Sequence, residues 1–358
     1  MQYKIIPVFT PHASCPQMCI FCNQKKISNT RGYNLNSIKA SLERGVASLY
    51  KKNKKKEKRE ARYEIAFYGG SFTAMEASEQ ELLLELAKPY IDDGSIDSIR
   101  LSTRPDFIDQ KTLNRLKKYH VSTIELGVQS MDDNVLRENM RGHTREDTII
   151  ASKMIKEAGF KLGHQIMPGL YKDTTETMIK TVEEVIWLAP DFLRVYPCLV
   201  IKGTQLEKLY REGQYQPLNI GDAIEICKFI YQMAVKANIK IIRMGLHSDC
   251  NLIDDGFVAG PFHPAFKHIV VSSLFYDLSE SLLEKSPIDG SVAFLLNSRD
   301  VSNFVGNRAM NIDRLREKYE LGKIGLIHED GMEEGKLAIN HGGMHFEASI
   351  FDIPIKLK

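Results

Sequence analysis

The segment YKIIPVFTPHASCPQMCIFC at residues 3–22 joins a short apolar run to three closely spaced cysteines. Residues 3–9 are rich in β-branched and apolar side chains, which predicts a buried strand. Cys15, Cys19 and Cys22 follow with the spacing C-x3-C-x2-C. Six cysteines in 358 residues do not make a disulfide scaffold, so three within eight residues indicate metal binding in a reducing compartment.

Beyond this segment, apolar strand-like runs alternate with helical patterns through two-thirds of the chain. Strands are predicted near 3–9, 63–68, 97–102, 121–126, 160–166 and 191–196, with helices near 35–50, 77–91, 108–118, 144–157 and 174–187. Such alternation produces right-handed crossovers and a parallel sheet. We predict an α/β fold, a partial (open) TIM-type barrel of about six parallel βα units over residues 1–250. A doubly wound sheet is the alternative, and residues 251–358 are predicted to form a small α+β domain.

The composition is that of an ordinary soluble globular protein, with 43% hydrophobic and 26% charged residues. A formal net charge of +2 provides no overall attraction to nucleic acid. We find no apolar run of about 18 residues and no secretion signal, so we expect a cytoplasmic protein without a membrane span. The basic run KKNKKKEKRE at 51–60 is interpreted as a solvated charge run at the bottom of the barrel.

The three cysteines are compatible with more than one kind of metal centre. Iron–sulfur clusters are usually held by four thiolates, so three thiolates leave one iron open to another ligand. The amino and carboxylate groups of S-adenosylmethionine can occupy such an iron. A structural zinc with His12 as the fourth ligand, or three inert thiols, are the alternatives.

Several further segments carry a resemblance to a known family: YGGSFTAM (68–75), LSTRPDFI (101–108), IELGVQSMDDNVL (124–136), RGHT (141–144), GFKLGHQIMPGL (159–170) and LRVYPCLVIKGTQL (193–206). With the cysteine segment, the chain resembles the radical S-adenosylmethionine superfamily. In detail it resembles the branch that contains the catalytic subunit of Elongator, which modifies the wobble uridine of tRNA.

The resemblance implies a chemistry and a set of cofactors. It implies a [4Fe–4S] cluster on Cys15, Cys19 and Cys22 that reductively cleaves S-adenosylmethionine to a 5′-deoxyadenosyl radical. That radical would take hydrogen from a substrate that the sequence does not identify. It also implies a reducing electron donor such as flavodoxin or ferredoxin, and tRNA as a candidate partner.

Residues at the predicted strand ends are candidates for binding the cofactor. Glycines let a backbone approach a ligand closely, an amide can both donate and accept, and an arginine can clamp a carboxylate. Phe21, next to a cysteine, is a candidate apolar shield. Of two neighbouring residues on the fifth strand only one faces the barrel centre, and we choose His164 over Gln165. The full set is Phe21, Gly69, Gly70, Ser71, Thr103, Gln129, Arg141 and His164.

The end of the sixth strand supplies candidates for contacts with the substrate. Arg194, Tyr196 and Lys202 are polar residues near the expected opening of the barrel. His247, Cys250 and His263 are weighed as a second metal site, with ordinary loop residues as the alternative.

One departure from the Elongator pattern limits what the resemblance implies. About 107 residues follow residue 251, and we see no acyl-CoA phosphate loop among them, so we do not expect the acetyl-dependent chemistry. Two other functions are therefore kept: a radical enzyme resembling oxygen-independent coproporphyrinogen oxidase, acting on a porphyrin, and a non-catalytic RNA-binding scaffold stabilised by zinc.

Overall fold

The computed structural model describes residues 2–10, 15, 19–23, 35–53, 61–246, 256–285, 290–341, 343–355 and 357. The chain divides into two compact units. The first unit comprises Met1–Pro217 and Ser248–Gly260, and the second comprises Leu218–His247 and Pro261–Lys358. The division differs from the boundary expected at residue 250, because residues 218–247 belong to the second unit.

The first unit is built on a parallel sheet whose strands follow one another in sequence order. Adjacent strands pair in parallel along the order β1-β2-β3-β4-β5-β6. The strands are β1 (Gln2–Phe9), β2 (Ala61–Tyr68), β3 (Ser98–Thr103), β4 (Val121–Gln129), β5 (Lys161–Ile166) and β6 (Phe192–Val195). This sequential order is that of an open barrel, and the predicted βα alternation is confirmed.

Helices connect consecutive strands of this sheet. They are α1 (Leu35–Asn53), α2 (Ala77–Asp92), α3 (Gln110–Lys118), α4 (Asp133–Glu138), α5 (Arg145–Glu157), α6 (Thr175–Trp187) and α7 (Gln205–Arg211). Local sequence sets several of their starts. Asp109 accepts from the backbone N–H of Thr112 at 2.7 Å, and Thr144 forms a capping box with Asp147. A short antiparallel pair, β7 (Val200–Ile201) with β9 (Phe257–Ala259), completes the unit.

The two faces of the sheet differ in character. On β2, Ile65 and Phe67 are fully buried apolar residues, whereas Glu64 and Tyr68 point to the opposite, inner face. The apolar outer face packs under the helices. The inner face therefore carries the polar groups from which the site is built.

The second unit contains a mixed four-stranded sheet of order β11-β10-β12-β13 and several helices. A buried core joins them, with Phe275, Phe294 and Phe304 at its centre. The elements are α8 (Ile220–Lys236), β8 (Lys240–Met244), α9 (Phe266–Lys285), β10 (Ser291–Leu296), α10 (Val301–Val305), α11 (Met310–Lys318), β11 (Lys323–His328), β12 (Lys336–His341) and β13 (Met344–Ser349). The expected small α+β region is confirmed. No helix among the described residues is long and apolar enough to cross a membrane.

Candidate functional site

The three cysteines lie in the loop that follows β1, and all three are half-buried. Two long-range backbone hydrogen bonds hold the middle of this loop. Ile20 donates to the carbonyl of Asn139 at 3.3 Å, and its own carbonyl accepts from the N–H of Leu206 at 2.8 Å. Ile20 is thus anchored to segments that follow β4 and β7.

An apolar cluster underlies the cysteine loop. Ile20 and Phe21 are buried in it with Val135, Leu206 and Tyr215, and Cys19 and Cys22 pack against its edge. Phe21 belongs to this apolar cluster, and its role as a shield for a cluster stays a prediction. Such packing keeps water from one side of the thiols.

Arg141 is the charged side chain that contacts the cysteine loop most directly. Its Nη1 donates to Sγ of Cys19 at 3.3 Å, and its Nη2 donates to the carbonyl of Gly127 at 2.6 Å. Burial raises the pKa of the Cys15 thiol, and a hydrogen bond with the Ser71 backbone and the charge of Arg141 act in the opposite direction.

The turn Gly69-Gly70-Ser71 follows β2 next to the cysteine loop. Gly69 has φ +114°, and a Cβ there would lie 2.7 Å from the carbonyl oxygen of Thr10. No residue with a side chain fits this position without moving the strand end. The backbone of Gly69 therefore packs directly against the Thr10 carbonyl at the end of β1.

Thr103 links two of the turns. Its hydroxyl lies 2.9 Å from the Ser71 hydroxyl and 2.5 Å from that of Thr73, and it accepts from the N–H of Thr73 at 3.3 Å. The Ser71 hydroxyl in turn accepts from the N–H of Arg104 at 3.1 Å. Thr103 and Ser71 thus hold the ends of β2 and β3 together, and their contact with a cofactor stays a prediction.

Gln129 ends β4 in a left-handed conformation, with φ 67°, just after an irregularity in the strand pairing. A Cβ on Gly127 would lie 3.0 Å from Nε2 of Gln129 and 3.3 Å from Nη2 of Arg141. Since Gly127 has no side chain, Gln129 and Arg141 can both occupy the space beside it. The structure thus brings together two residues that the sequence placed separately.

His164 does not face the barrel centre, and that prediction is corrected. Its Nε2 lies 2.9 Å from the hydroxyl of Ser152 on α5, so the ring is buried between the sheet and a helix. Burial lowers the pKa of His164 to about 3, and the ring is neutral at physiological pH. Gln165 occupies the inner face instead, and its amide donates to Oε1 of Gln129 at 3.4 Å.

A set of buried polar atoms near the cysteines has no hydrogen-bond partner among the described residues. These atoms are Nη1 of Arg104, Nε of Arg141 and Nδ1 of His143. Burial and the charges of Arg141 and Arg104 lower the pKa of His143 to about 2. The two arginine nitrogens are buried donors, which suit an anionic or acceptor-rich ligand. The neutral His143 ring donates from Nε2 to the carbonyl of Val128 at 3.2 Å, so its Nδ1 is an acceptor. The arginine donors and the three thiols fit a thiolate-held cluster together with a ligand that bears a carboxylate.

The inner face of the sheet carries a connected set of ionic and hydroxyl side chains, here called the inner-wall network. Arg100 donates to Glu64 at 3.0 and 2.6 Å and to Glu125 at 2.9 Å. Arg194 forms an ion pair with Glu125, Nε to Oε2, at 2.6 Å. Only Arg194 and Tyr196 of this network were expected from the sequence. The members are Glu64, Tyr68, Arg100, Glu125, Arg194 and Tyr196.

The three candidates for substrate contact are not all in one place. Arg194 and Tyr196 belong to the inner-wall network, where Nη1 of Arg194 donates to the Tyr196 hydroxyl at 3.2 Å. Lys202 is exposed, and its carbonyl accepts from the side chain of Asn23 at 2.9 Å, one residue beyond Cys22. Lys202 therefore lies beside the cysteine loop instead of on the inner wall.

The structure does not assemble a second metal site from the residues it describes. His263 accepts the N–H of Ala265 on its Nδ1 at 3.0 Å, whereas His247, Cys250 and also His12 lie outside the described residues. Within the described ranges, no three His, Cys, Asp or Glu side chains are gathered around a single-ion site. A four-iron cluster is larger than one ion, and its thiolates bind separate irons.

Comparison with known proteins finds two family models that match consecutive parts of the chain. One family model, described as the Radical SAM superfamily, matches residues 10–185, and a second, the Radical_SAM C-terminal domain, matches residues 190–275. The tRNA uridine(34) acetyltransferase of Methanocaldococcus infernus is 30% identical over 186 aligned residues, and the match covers 46% of this chain and 35% of that relative. Human Elongator complex protein 3 is 34% identical over 36% of this chain and 24% of its own length.

These relatives are longer proteins, and the chain spans about a third or less of their length. Among solved structures, the archaeal Methanocaldococcus infernus Elp3 with an N-terminal deletion superposes with a TM-score of 0.53 at 22% identity. The match covers 70% of this chain and 61% of that one, and it confirms the partial-barrel fold. Because the two family models together account for more than two thirds of the chain, this protein belongs to the radical SAM superfamily.

Proposed function

We propose that Cys15, Cys19 and Cys22 ligate a [4Fe–4S] cluster, and that this enzyme uses S-adenosylmethionine to remove a hydrogen atom from a base of tRNA. The observation that carries the proposal is Arg141, which bridges Sγ of Cys19 and the carbonyl of Gly127 beside Gln129. When bound, the reduced cluster and S-adenosylmethionine supply the 5′-deoxyadenosyl radical that takes the hydrogen atom.

The residues of the chain bind and orient these groups. Arg141 donates to Sγ of Cys19, and its unpaired buried Nε, with Nη1 of Arg104, provides donors for the methionine carboxylate. The Gly69-Gly70 turn offers backbone atoms at the same edge. Phe21 and its apolar neighbours exclude water from beneath the cysteines.

Assignment of tRNA as the substrate is supported by the relatives. The proteins that match the radical part of the chain include a tRNA uridine(34) acetyltransferase and Elongator complex protein 3. Radical enzymes of this family require a reducing partner, and we propose flavodoxin or ferredoxin for that role.

The cofactor part is tested with anaerobically reconstituted protein, reduced with dithionite and given S-adenosylmethionine. We expect 5′-deoxyadenosine, with the Cys15→Ala variant inactive and unable to retain a full cluster. Cys227→Ala is the matched control, since Cys227 is buried in α8 of the second unit. A fully reconstituted wild-type protein that forms no 5′-deoxyadenosine contradicts the proposal.

The substrate part needs a separate measurement. Unmodified tRNA transcripts added to the same reaction should increase 5′-deoxyadenosine formation and acquire a mass change. Retention of the transcripts on a filter should weaken as salt is raised from 50 to about 200 mM, because phosphate contacts release counterions. No retention and no increase would exclude tRNA while leaving the radical chemistry intact.

A further inference from the structure

The inner-wall network combines two positive and two negative side chains. Arg100 lies between Glu64 and Glu125, and Arg194 pairs with Glu125 from the other side. Side-chain exposure is 7% for Arg100, 1% for Glu64 and 4% for Glu125. Burying charges is costly unless they are paired, and here each charge has an opposite partner. The network as a whole is therefore electrically neutral.

Glu125 is the junction of the network. Its carboxylate receives Arg100 Nη1 at 2.9 Å and the Tyr68 hydroxyl at 3.0 Å, and it pairs with Arg194 at 2.6 Å. Nη2 of Arg194 also donates to the Tyr68 hydroxyl at 2.6 Å. Burial alone would lower the pKa of Arg194, but the charge of Glu125 and the tyrosine hydroxyls outweigh it and raise that pKa. Arg194 is therefore a fixed cation whose charge is already balanced.

The hydrogen-bond donors that have no acceptor within the network lie at its more exposed end. Nη1 of Arg194 carries two hydrogens and makes one hydrogen bond, to the Tyr196 hydroxyl, whose own proton has no acceptor among the described residues. The side chain of Arg194 is 14% exposed, and Tyr68 and Tyr196 are half-buried. These residues stand at or near the carboxyl ends of β2 and β6, the edge where barrels of this type bind ligands.

We propose that Glu125 is a specificity-determining positioning residue, which makes the inner wall accept a neutral ring with carbonyl oxygens and reject a carboxylated one. A neutral acceptor needs only the spare donors of Arg194 and Tyr196. A carboxylate must compete with Glu125 for Arg194 and places a second negative charge beside it. The inference rests on the proposed function, since it assigns the substrate of that site to the class of uncharged bases.

The test uses two nucleosides that differ by one carboxylate: uridine and orotidine, which is 6-carboxyuridine. Binding of each to reconstituted protein containing S-adenosylmethionine is followed by saturation-transfer NMR titration. We expect wild-type protein to bind uridine at least tenfold more tightly than orotidine. Glu125→Gln keeps an acceptor but leaves Arg194 uncompensated, so it should reverse the preference or reduce it by at least tenfold.

Two further variants keep the result interpretable. Glu184→Gln is the matched control, because Glu184 pairs with Arg145 on the helical side of the sheet and should leave both affinities unchanged. Tyr196→Phe removes one donor without changing any charge, so it should weaken uridine several-fold and keep the order of preference. This variant serves if Glu125→Gln does not fold.

The outcomes separate this inference from the proposed function. Equal binding of the two nucleosides by wild-type protein, no binding of either at millimolar concentration, or an unchanged preference in Glu125→Gln would overturn the inference. Formation of 5′-deoxyadenosine by the same wild-type sample, measured in parallel, reports on the radical chemistry alone. Active protein without discrimination refutes only the role of Glu125.

Discussion

Replacement of Arg141 by lysine keeps the positive charge but removes the planar guanidinium that contacts two partners at once. The guanidinium reaches Sγ of Cys19 at 3.3 Å with one nitrogen and the carbonyl of Gly127 at 2.6 Å with the other. A lysine ammonium is a single point on a flexible stem and cannot hold both partners in the same plane. The prediction is weaker binding of S-adenosylmethionine in a protein that still folds and still holds its cluster.

The size of the effect follows from the hydrogen bond that lysine cannot make. Arg141→Lys removes the buried Nε donor that we propose for the methionine carboxylate, and a charge-assisted hydrogen bond of this kind contributes about 1.5–3 kcal/mol. At about 1.4 kcal/mol per factor of ten, this predicts a Kd for S-adenosylmethionine raised roughly 10- to 150-fold. Since Arg141 is only 7% exposed, solvent does not replace the missing hydrogen bond easily.

Equilibrium dialysis of reconstituted protein with labelled S-adenosylmethionine measures this Kd directly, and iron content reports the cluster. Arg145→Lys is the matched control, because Arg145 lies four residues further on and pairs with Glu184 on the helical side of the sheet. A Kd for Arg141→Lys within twofold of wild type, with full iron content, would show that the bridge between Cys19 and Gly127 does not position the cofactor.

Two further predictions concern stability. Gly69→Ala places a Cβ 2.7 Å from the Thr10 carbonyl and should lower both the melting temperature and the iron content. Gly94→Ala is the control, because Gly94 also has a positive φ, +72°, but open space around it, and it should cost only about 1 kcal/mol of unfolding free energy. Equal losses of stability in the two variants would refute the clash at Gly69. Because the pKa of His164 is lowered to about 3, unfolding takes up a proton between about pH 6.5 and 3, and stability falls as the pH falls through that window. Chemical denaturation should therefore show that the difference in unfolding free energy between wild type and His164→Gln changes by about 1.4 kcal/mol per pH unit there. A difference that does not depend on pH would contradict the neutral buried ring.

The sequence was informative where local pattern decides structure. The first strand, the cysteine loop after it and Gly69 at the end of β2 are features of local spacing, and the structure contains all three. Because successive side chains of a strand point to opposite faces, the sequence showed that one of His164 and Gln165 faces inward, but it did not show which one. That choice depends on the packing of Ser152 against the strand, which no local pattern encodes.

The inner-wall network was missed for a related reason. Glu64, Arg100 and Glu125 stand in the middle of otherwise apolar strands, and a charged residue there is a signal in itself, since lone charges are rarely buried. The residues at the strand ends do not reveal it, because these three members lie further back along their strands. The division of the chain was also beyond local pattern, because Gln232 of α8 donates to the carbonyl of Ile350, 118 residues later.

The two backbone bonds at Ile20 also bear on how the protein is made. Leu206, which donates to the Ile20 carbonyl, follows it by 186 residues. At a synthesis rate of about 5–20 residues per second, the cysteine loop waits roughly 10 to 40 s for this anchor to emerge. The cysteine segment lacks this anchor throughout that interval, so we expect a cluster to be held only after the barrel strands have been synthesised.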